Sequence, residues 1–521
     1  MLQSLHMFIP IGPVCEDSTY REKGDNRMFG SCNDKCAVAS IKVLDECLRA
    51  SSGFKGMDDH IESRILDAQS VLDLTRRKNI SCAPLSELND QKISNGCSTS
   101  CSNGTRHWSE VIEKHLPLIL QHDFPTVRAA SVTCFAGMTA SVFLSLTDAE
   151  QKFIKLSILT AASNDEVPSV RASACRALGV VASFPQIFSS VGVLNEFINA
   201  AILNVHSPLV SVRITSSWAL ANICDSLRYR ATDSNMSMYN DDVVTSASLS
   251  LLVESSLWLT RDGDKIKSNA VRALGNLSRF VAFTDHSISS NGHGNSCSTP
   301  HWLERMVQAF VSSVTTGNVK VQWNVCHALG NLFLNNTLKL RDMPWASSVY
   351  TILLLLLRDS MNYKIRINAA VALSVPSSRL DYGDSFPDVV KGLGLILESL
   401  NLDHSSVPSN FKYKDTLQKQ LALTTLHVLG FASTEDDILK GFLVRKATFL
   451  EEWLKSLSSL LTSKDKSNYE VNLEANQSNE SDSYQVKKLI YKALRALIEA
   501  YEYSDKPSIA VRFEKLLDHF S

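Results

Sequence analysis

The sequence lacks an apolar run long enough to cross a bilayer. Its longest apolar run, residues 350–357, falls far short of the ~20 residues that a membrane-spanning helix requires. The first twelve residues lack the basic segment and the cleavage site of a secretory signal. These absences predict an intracellular protein, cytoplasmic or nuclear and not secreted, that has no membrane partner. Its 12 cysteines are then expected to be free thiols in a reducing compartment.

Neither sign of charge is in excess. The chain has 52 Lys and Arg against 54 Asp and Glu, a formal net charge of −2. Binding to a phosphate backbone needs a basic surplus or a clustered basic face, and the sequence shows neither. We therefore expect no nucleic-acid partner.

Catalytic and cofactor motifs are also missing. The sequence has no Gly-rich phosphate loop followed by Lys, no nucleophile elbow and no HExxH zinc motif. Two cysteine pairs, Cys32/Cys36 and Cys97/Cys101, fall within a loose zinc spacing, but unliganded thiols are the preferred interpretation. The sequence thus predicts no catalytic residue, no cofactor, no metal site and no small-molecule substrate.

What the sequence does contain is a recurring amphipathic helix, best seen in residues 265–280, KIKSNAVRALGNLSRF. Apolar residues at helical spacing form one stripe, and polar residues form a second stripe roughly 130° away. The apolar stripe holds Ile266, Ala270, Ala273, Leu274 and Leu277. The polar stripe holds Asn269, Arg272, Asn276 and Arg279.

Copies of this helix begin near Val127, Val170, Val212, Val321 and Ile365, at intervals of about 42–55 residues, close to the HEAT and armadillo range. Each copy follows another apolar helix, within 108–121, 149–162, 195–205, 244–259, 302–314 and 347–357. A single helix pair cannot bury both its faces, whereas stacked pairs can. The pattern predicts an all-α, right-handed α-α superhelix of HEAT/ARM type with disordered insertions.

The predicted organisation has four parts. Residues 1–106 form an irregular region with helices at 37–48 and 61–74 and a flexible linker at 81–105. The solenoid covers 107–462, with an insertion at 285–299 and later helices at 389–400 and 417–429. A disordered linker at 463–485 precedes a helical cap at 486–521. Either the first hundred residues cap the stack or the chain is part of a longer solenoid.

Small residues recur nine positions after the start of most copies, as Gly179, Ala221, Gly275 and Gly330. A glycine inside a helix costs ~1 kcal/mol relative to alanine. Its repetition therefore predicts a close approach between neighbouring helices. Cys175 and Cys326 share another position and are expected to be small core residues.

The polar stripe is the one site-like feature of the sequence. Asn222, Asn276 and Asn331 share one position in successive copies, and such amides can both donate to and accept from the backbone of an extended peptide. The alternative is that they satisfy neighbouring helix ends or face water. The candidate partner-binding residues are Arg176, Trp218, Asn222, Asn269, Arg272, Asn276, Asn324, His327 and Asn331. If the stripe is the concave surface, six of them should be accessible to solvent, namely Trp218, Asn222, Arg272, Asn276, His327 and Asn331.

The repeated stretches 170–179, 212–223 and 266–277 resemble HEAT and armadillo inner helices, and Trp218 with Asn222 resembles the Trp-x-x-x-Asn pattern of importin-alpha-type receptors. A closer resemblance, over roughly 107–520, is to the C-terminal half of the HEAT repeat-containing protein 6 family. It is carried by VKVQWNVCHALGNLFLNN (319–336), YKIRINAAVALSVPSSRLDYG (363–383) and FKYKDTLQKQ (411–420). The resemblance implies a HEAT solenoid whose usual form is longer at its N-terminus, with no catalytic residues.

Three functional hypotheses follow. The first is a non-catalytic scaffold that mediates protein–protein interaction through its concave face. The second is a transport-receptor-like adaptor that binds extended cargo peptides along the row of asparagines. The third is an enzyme whose site is not recognisable. The partner's identity and the oligomeric state stay open.

Overall fold

A computed structural model describes residues 26–54, 98–188, 190–232, 244–283, 301–402, 411–433, 437–464, 476–504 and 506–520. Every regular element within these ranges is helical, which confirms the predicted all-α class. The predicted helix at 61–74, the insertion at 285–299 and most of the predicted linkers lie outside the described residues. The described residues form two compact units, one ending at Phe280 and the other starting at Val281.

The first unit consists of paired helices and short connecting helices. They are α1 (Asn26–Ser51), α2 (Ser98–Lys114), α3 (Leu116–Ile119), α4 (Pro125–Cys134), α5 (Ala140–Ser145), α6 (Asp148–Asn164), α7 (Pro168–Val181), α8 (Pro185–Phe188), α9 (Val191–Val205), α10 (Val210–Thr232), α11 (Ser246–Leu259) and α12 (Asp264–Ser278).

Two rows of helices pack against each other in this unit. In one row, which we call the inner row, α4, α7, α10 and α12 each contact the next, while α6, α9 and α11 do the same in an outer row. Each outer helix also contacts the inner helix that follows it in sequence. Helices α4 and α7 begin at Pro125 and Pro168, where a fixed φ suits the first turn and no N–H donor is lost. This is the stack of helix pairs predicted from the periodicity.

In some copies of the repeated helix, the arginine that follows the first valine links the turn of its own helix pair to the turn of the next pair. In the first unit, Arg213 on α10 donates to the carbonyl oxygens of Ser207 and Pro208, at 2.9 and 3.0 Å. Its Nε lies 2.7 Å from the carboxylate of Asp262, in the turn of the following pair. The hydrogen bond from Arg213 lowers the pKa of Asp262. Arg128 makes the same contacts with its own turn and with Asp165.

The second unit repeats the two-row arrangement. Its helices are α13 (Trp302–Thr316), α14 (Val319–Phe333), α15 (Ala346–Asp359), α16 (Tyr363–Leu373), α17 (Arg379–Tyr382), α18 (Phe386–Leu402), α19 (Phe411–Leu429), α20 (Asp437–Lys464), α21 (Asn476–Glu502) and α22 (Ser508–Phe520). Helices α14, α16, α19 and α21 form its inner row, and α15, α18 and α20 form its outer row.

Residues 374–383, SVPSSRLDYG, form a compact turn in the second unit. Ser378 and Asp381 make a capping box at the start of α17. The hydroxyl of Tyr382 donates to the carbonyl oxygen of Leu373, 2.7 Å away, at the end of α16. The hydroxyl of Tyr350 on α15 donates to the carbonyl oxygen of Asp381 at 2.8 Å. Hydrogen bonds from two buried tyrosines thus hold this irregular segment in place.

The predicted core residues are buried. Leu274 and Leu329 are 0% and 1% exposed, and Cys175 and Cys326 are 0% and 1% exposed. Burial raises the pKa of Cys175 to about 12, so its thiol stays protonated and unreactive. None of the described helices is both long and apolar enough to cross a membrane. The described side chains likewise contain no group of three or more potential metal ligands.

Several helices extend beyond the predicted bounds. Helix α2 begins at Ser98, inside the predicted flexible linker, and α21 begins at Asn476, ahead of the predicted cap at 486. Both extensions lie on the N-terminal side of an amphipathic segment and contain few apolar residues. Once a packed segment has formed the first turns, adding further residues to a helix costs little.

A candidate interaction surface on α7, α10 and α12

Six polar or aromatic residues of α7, α10 and α12, together with the C-cap residue of α12, form a surface that we call the inner stripe. Its members are Arg176, Trp218, Asn222, Asn269, Arg272, Asn276 and Arg279. Six of them are among the nine candidate partner-binding residues. The structure brings those six onto three helices that are neighbours in the inner row of the first unit.

Trp218 is packed between a cation and a glycine of the preceding helix. The guanidinium carbon of Arg176 lies 3.9 Å from the centroid of the Trp218 ring, within the range of a cation–π interaction. A Cβ atom on Gly179 would lie only 2.6 Å from the Trp218 ring and 2.8 Å from Cα of Ala219. The close helix approach predicted from the recurring small residues is thus confirmed between α7 and α10.

The amide of Asn222 joins three helices. Its Nδ2 donates to the carbonyl oxygen of Gly179 on α7 at 3.0 Å, and its Oδ1 accepts a hydrogen bond from Nη2 of Arg272 on α12. Arg272 also points Nη2 toward the carbonyl oxygen of Trp218, 3.5 Å away. Asn222 therefore fixes the guanidinium of Arg272 beside Trp218.

Asn269 lies on α12, one turn before Arg272, and makes a similar bridge to α10. Its Nδ2 donates to Oγ of Ser217 on α10, 3.1 Å away. This contact and the one made by Asn222 both link neighbouring inner helices. They correspond to the alternative left open above, in which the asparagines satisfy neighbouring backbone and side-chain groups.

The expectation that the three equivalent asparagines are accessible to solvent is wrong. Asn222 is 0% exposed, and Asn276 and Asn331 are each 3% exposed. For Asn222 the physical reason is the short distance between inner helices at Gly179, which brings its amide onto the carbonyl group of Gly179 rather than into solvent. By contrast, Arg176, Trp218 and Arg272 are partly exposed.

The three remaining candidates, Asn324, His327 and Asn331, belong to the second unit. Asn324 is buried, 4% exposed, whereas His327 is partly exposed. The His327 ring stands edge-on to the ring of Trp323, with centroids 5.5 Å apart. Position 327 in α14 corresponds by register to Trp218 in α10, so each unit places an aromatic or imidazole ring at this register.

A buried pair of charges lies at the C-terminal end of the stripe. Arg228 on α10 donates to Asp225 at 3.0 Å, and both side chains are nearly inaccessible, at 2% and 1%. Burial, together with the positive charge of Arg228, lowers the pKa of Arg279, the C-cap residue of α12, to about 10. Arg228 was not among the candidate residues identified from the sequence. The available signal was its spacing of three residues from Asp225, which places both on one face of α10.

A model of the HEAT repeat matches residues 156–184, which cover the second half of α6 and all of α7. An uncharacterized protein of Dictyostelium discoideum is 26% identical over 415 residues, and the match covers 60% of this chain and 27% of that protein. The chain thus spans about a quarter of the length of that relative.

Three similar solved structures have sequence identities between 13% and 16%. An engineered protein is 16% identical, with 93% of this chain and 95% of that chain covered and a TM-score of 0.44. Kap95p, solved with RanGDP, is 13% identical, with coverages of 95% and 60% and a TM-score of 0.41. A designed armadillo repeat protein in complex with the peptide (KR)4 is 15% identical, with coverages of 46% and 97% and a TM-score of 0.29.

The HEAT repeat at 156–184 and the stacked helix pairs together define a helical-repeat protein of the HEAT/armadillo type. Repeat solenoids of this type are typically non-catalytic scaffolds. The match to the HEAT model supports this class and does not extend to the narrower resemblance to the HEAT repeat-containing protein 6 family.

Proposed function

We propose that the chain is a non-catalytic helical-repeat scaffold that binds a protein partner over the inner stripe of its first unit. The observation that carries this proposal is the fixed position of its partly exposed side chains. Trp218 is held by Arg176 and Gly179, and Arg272 is held by Asn222. A surface that is already ordered loses little side-chain entropy when a partner binds.

The buried and the partly exposed residues have different roles in this proposal. Asn222 and Asn269 position the surface, because their amides are used within the protein. Arg176, Trp218 and Arg272 contact the partner. Trp and Arg are the residue types most often found to dominate binding energy at protein interfaces. In the second unit, taken by itself, His327 is the partly exposed candidate for contact with a partner, and the buried Asn324 and Asn331 would support it.

The second candidate function is a transport-receptor-like adaptor whose asparagines pair with the backbone of an extended cargo peptide. Asn222 speaks against this mode, because its amide donates to Gly179 and accepts from Arg272. A basic cargo such as the (KR)4 peptide of the designed armadillo complex would moreover face the arginines of the inner stripe.

Affinity capture with matched tryptophan variants tests the proposal. The full chain is immobilised as the unaltered protein, as Trp218→Ala and as Trp258→Ala, and captured proteins are quantified by mass spectrometry. Trp258 is 44% exposed on the outer helix α11 and serves as the control. We expect Trp218→Ala to lose a set of partners that Trp258→Ala retains.

A second variant, Arg176→Ala, guards against misfolding of Trp218→Ala, because it removes a partly exposed cation of the surface and keeps the Trp218 side chain and its packing against Gly179. It should lose the same partners at an unchanged melting temperature. If both inner-stripe variants capture the same proteins as the unaltered chain, the interaction surface lies elsewhere. Limited digestion of the captured partners separates the two candidates, since the scaffold predicts a protected folded domain and the adaptor a short linear segment.

A further inference from the structure

Helix α21 of the second unit carries a basic face. Lys488, Lys492 and Arg495 are spaced by four and then three residues, so they follow one another on successive turns of the helix, with Tyr491 between them. All four side chains are exposed to solvent. At a rise of about 1.5 Å per residue, the face is about 10 Å long from Lys488 to Arg495.

Contacts with aromatic side chains hold two of these cations in place. Nη2 of Arg495 donates to the hydroxyl of Tyr491 at 2.7 Å, and its guanidinium carbon lies 4.6 Å from the centroid of that ring. Nζ of Lys492 lies 3.6 Å from the centroid of the Phe431 ring. The stem of Lys492 passes over Gly430, where an added Cβ would lie 3.0 Å from its Cδ. Two of the three charges thus have defined positions before a partner binds.

The described residues do not neutralise this face. Within them, the contacts of Arg495 and Lys492 are with aromatic rings and a hydroxyl, and none of the three cations forms an ion pair with a carboxylate. Partial burial lowers the pKa of the Lys492 ammonium group, because it disfavours the charged form. A negative charge beside the ammonium group would offset that cost.

Solubility alone does not account for a face of one sign. An exposed polar face keeps a helical-repeat protein soluble, but alternating charges would do so equally well. Like charges three or four residues apart destabilise a helix. Helix α21 carries this cost twice, between Lys488 and Lys492 and between Lys492 and Arg495. An anionic partner would turn the same arrangement into a source of binding energy.

We infer that Lys488, Lys492 and Arg495 bind the carboxylates of a short acidic segment of a protein partner. The guanidinium of Arg495 has N–H groups left for a carboxylate after its one hydrogen bond to Tyr491, and such charge-assisted bonds are the stronger ones. The two lysines add point charges on the preceding turns. This surface belongs to the second unit, so the inference goes beyond the function proposed for the inner stripe and does not depend on it.

A protein segment fits this face better than a nucleic acid or an anionic membrane does. Glu499 and Glu502 follow Arg495 by four and seven residues, on the same side of α21, and both are exposed. They would repel a phosphate backbone or a lipid surface that continued past Arg495, whereas a protein segment can end its acidic run there. The formal net charge of −2 also supplies no long-range attraction to phosphate.

Fluorescence anisotropy with the full chain tests the inference. The probe is a fluorescein-labelled hexaglutamate peptide, compared with hexaglutamine and hexalysine. The main variant is Lys488→Glu/Arg495→Glu, and Lys488→Gln/Arg495→Gln removes the same cations without adding acidic groups in case the first does not fold. The control, Lys320→Glu/Lys339→Glu, makes the same change in net charge at two exposed lysines elsewhere in the second unit.

We expect hexaglutamate to bind and the other two peptides to bind at least about tenfold more weakly. One exposed charge pair changes an affinity by up to about fivefold, so the double Glu variant should weaken binding of hexaglutamate by about tenfold or more. The double Gln variant should weaken it by about threefold or more, and the control by less than about twofold. Added salt should weaken binding by the unaltered chain.

Equal binding of hexaglutamate and hexaglutamine would overturn the inference, as would equal losses in the double Glu variant and the control. An unchanged affinity in the double Gln variant would do the same. Tighter binding of single-stranded DNA, or of phosphatidylcholine vesicles containing phosphatidylserine, would assign the face to a phosphate-bearing partner instead. None of these results bears on the Trp218→Ala capture experiment, because the inner stripe belongs to the first unit.

Discussion

Nδ2 of Asn222 donates to the carbonyl oxygen of Gly179, 3.0 Å away on the preceding inner helix. The two residues lie at almost equivalent positions in consecutive repeats, so this hydrogen bond reports directly how neighbouring repeats pack. Gly179 allows α10 to come close, because a Cβ atom there would overlap the Trp218 ring. The close approach at Gly179 thus brings Asn222 into a buried contact with the preceding repeat.

Replacing Asn222 with alanine should destabilise the protein. The change leaves the carbonyl group of Gly179 buried without its donor and Arg272 without one of its acceptors, which costs about 1–3 kcal/mol. Denaturant unfolding followed by circular dichroism measures the loss. Asn164→Ala, at an exposed position at the end of α6, is the control and should change the free energy of unfolding by less than about 0.5 kcal/mol. Equal stability of the two variants would mean that the amide of Asn222 is not structural.

The fold could be predicted because burial follows a local pattern. The apolar residues of 266–277 recur at helical spacing and were expected to pack inward, whereas Asn269, Arg272 and the other residues of the polar stripe were not. The stripe itself was also predicted, since a helical step of ~100° per residue fixes which residues share a face. Leu274, Leu329, Cys175 and Cys326 were predicted to be buried on this basis, and all four are.

The exposure of the stripe could not be predicted, because it depends on the distance between helices. Periodicity gives the direction of the Asn222 side chain, whereas its burial depends on the approach of α7 to α10 at Gly179. The Arg228–Asp225 pair was missed for a related reason. Both residues look like ordinary polar positions near a helix end, and their burial becomes evident only when α12 is packed beside them.

The two glycines at equivalent positions should respond differently to alanine. Gly179→Ala should destabilise the first unit, because its Cβ would lie 2.6 Å from the Trp218 ring and 2.8 Å from the backbone of Ala219. Overpacking of this kind typically costs about 1–3 kcal/mol. At Gly330 the nearest atoms to an added Cβ, those of Ala372 and Val375, are 3.9 Å away, an ordinary contact distance.

Gly330→Ala should therefore be tolerated and should gain up to about 1 kcal/mol, because alanine is the better helix former. Thermal and denaturant unfolding of the two variants measure the difference directly. A destabilised Gly330→Ala or an unaffected Gly179→Ala would show that the helix spacing at these positions is not as described.

Truncation of the central leucines tests which face of the inner helices forms the core. Leu274 on α12 and Leu329 on α14 are 0% and 1% exposed, so Leu274→Ala and Leu329→Ala should each cost about 2–5 kcal/mol. Leu395→Ala on α18 is the control, because Leu395 is 52% exposed. The free energies of unfolding of all three variants should be compared under the same conditions. A loss below about 0.5 kcal/mol at either buried leucine, within the range of ordinary surface changes, would contradict the assignment of the buried face.

His427 on α19 should make the stability of the second unit depend on pH. Its Nε2 lies 2.8 Å from the carbonyl oxygen of Pro376, so this nitrogen carries the proton and donates it. The ring stands edge-on to Phe431, and the ammonium group of Lys492 lies 3.6 Å from the centroid of that ring. Burial lowers the pKa of His427, and the positive charge of Lys492 lowers it further, against the hydrogen bond to Pro376, which raises it.

Because the pKa of His427 is lower in the folded protein than its ordinary value of 6.5, the unfolded chain takes up a proton before the folded protein does. Stability is then fully present above about pH 6.5 and is lost as the pH falls toward the folded pKa. His427→Gln keeps a donor for Pro376 and does not titrate. We expect the free energy of unfolding of the unaltered protein to fall relative to that of His427→Gln as the pH drops from 7.5 to about 5. Parallel curves for the two proteins, or a relative gain by the unaltered protein in acid, would show that burial does not lower the pKa of this histidine.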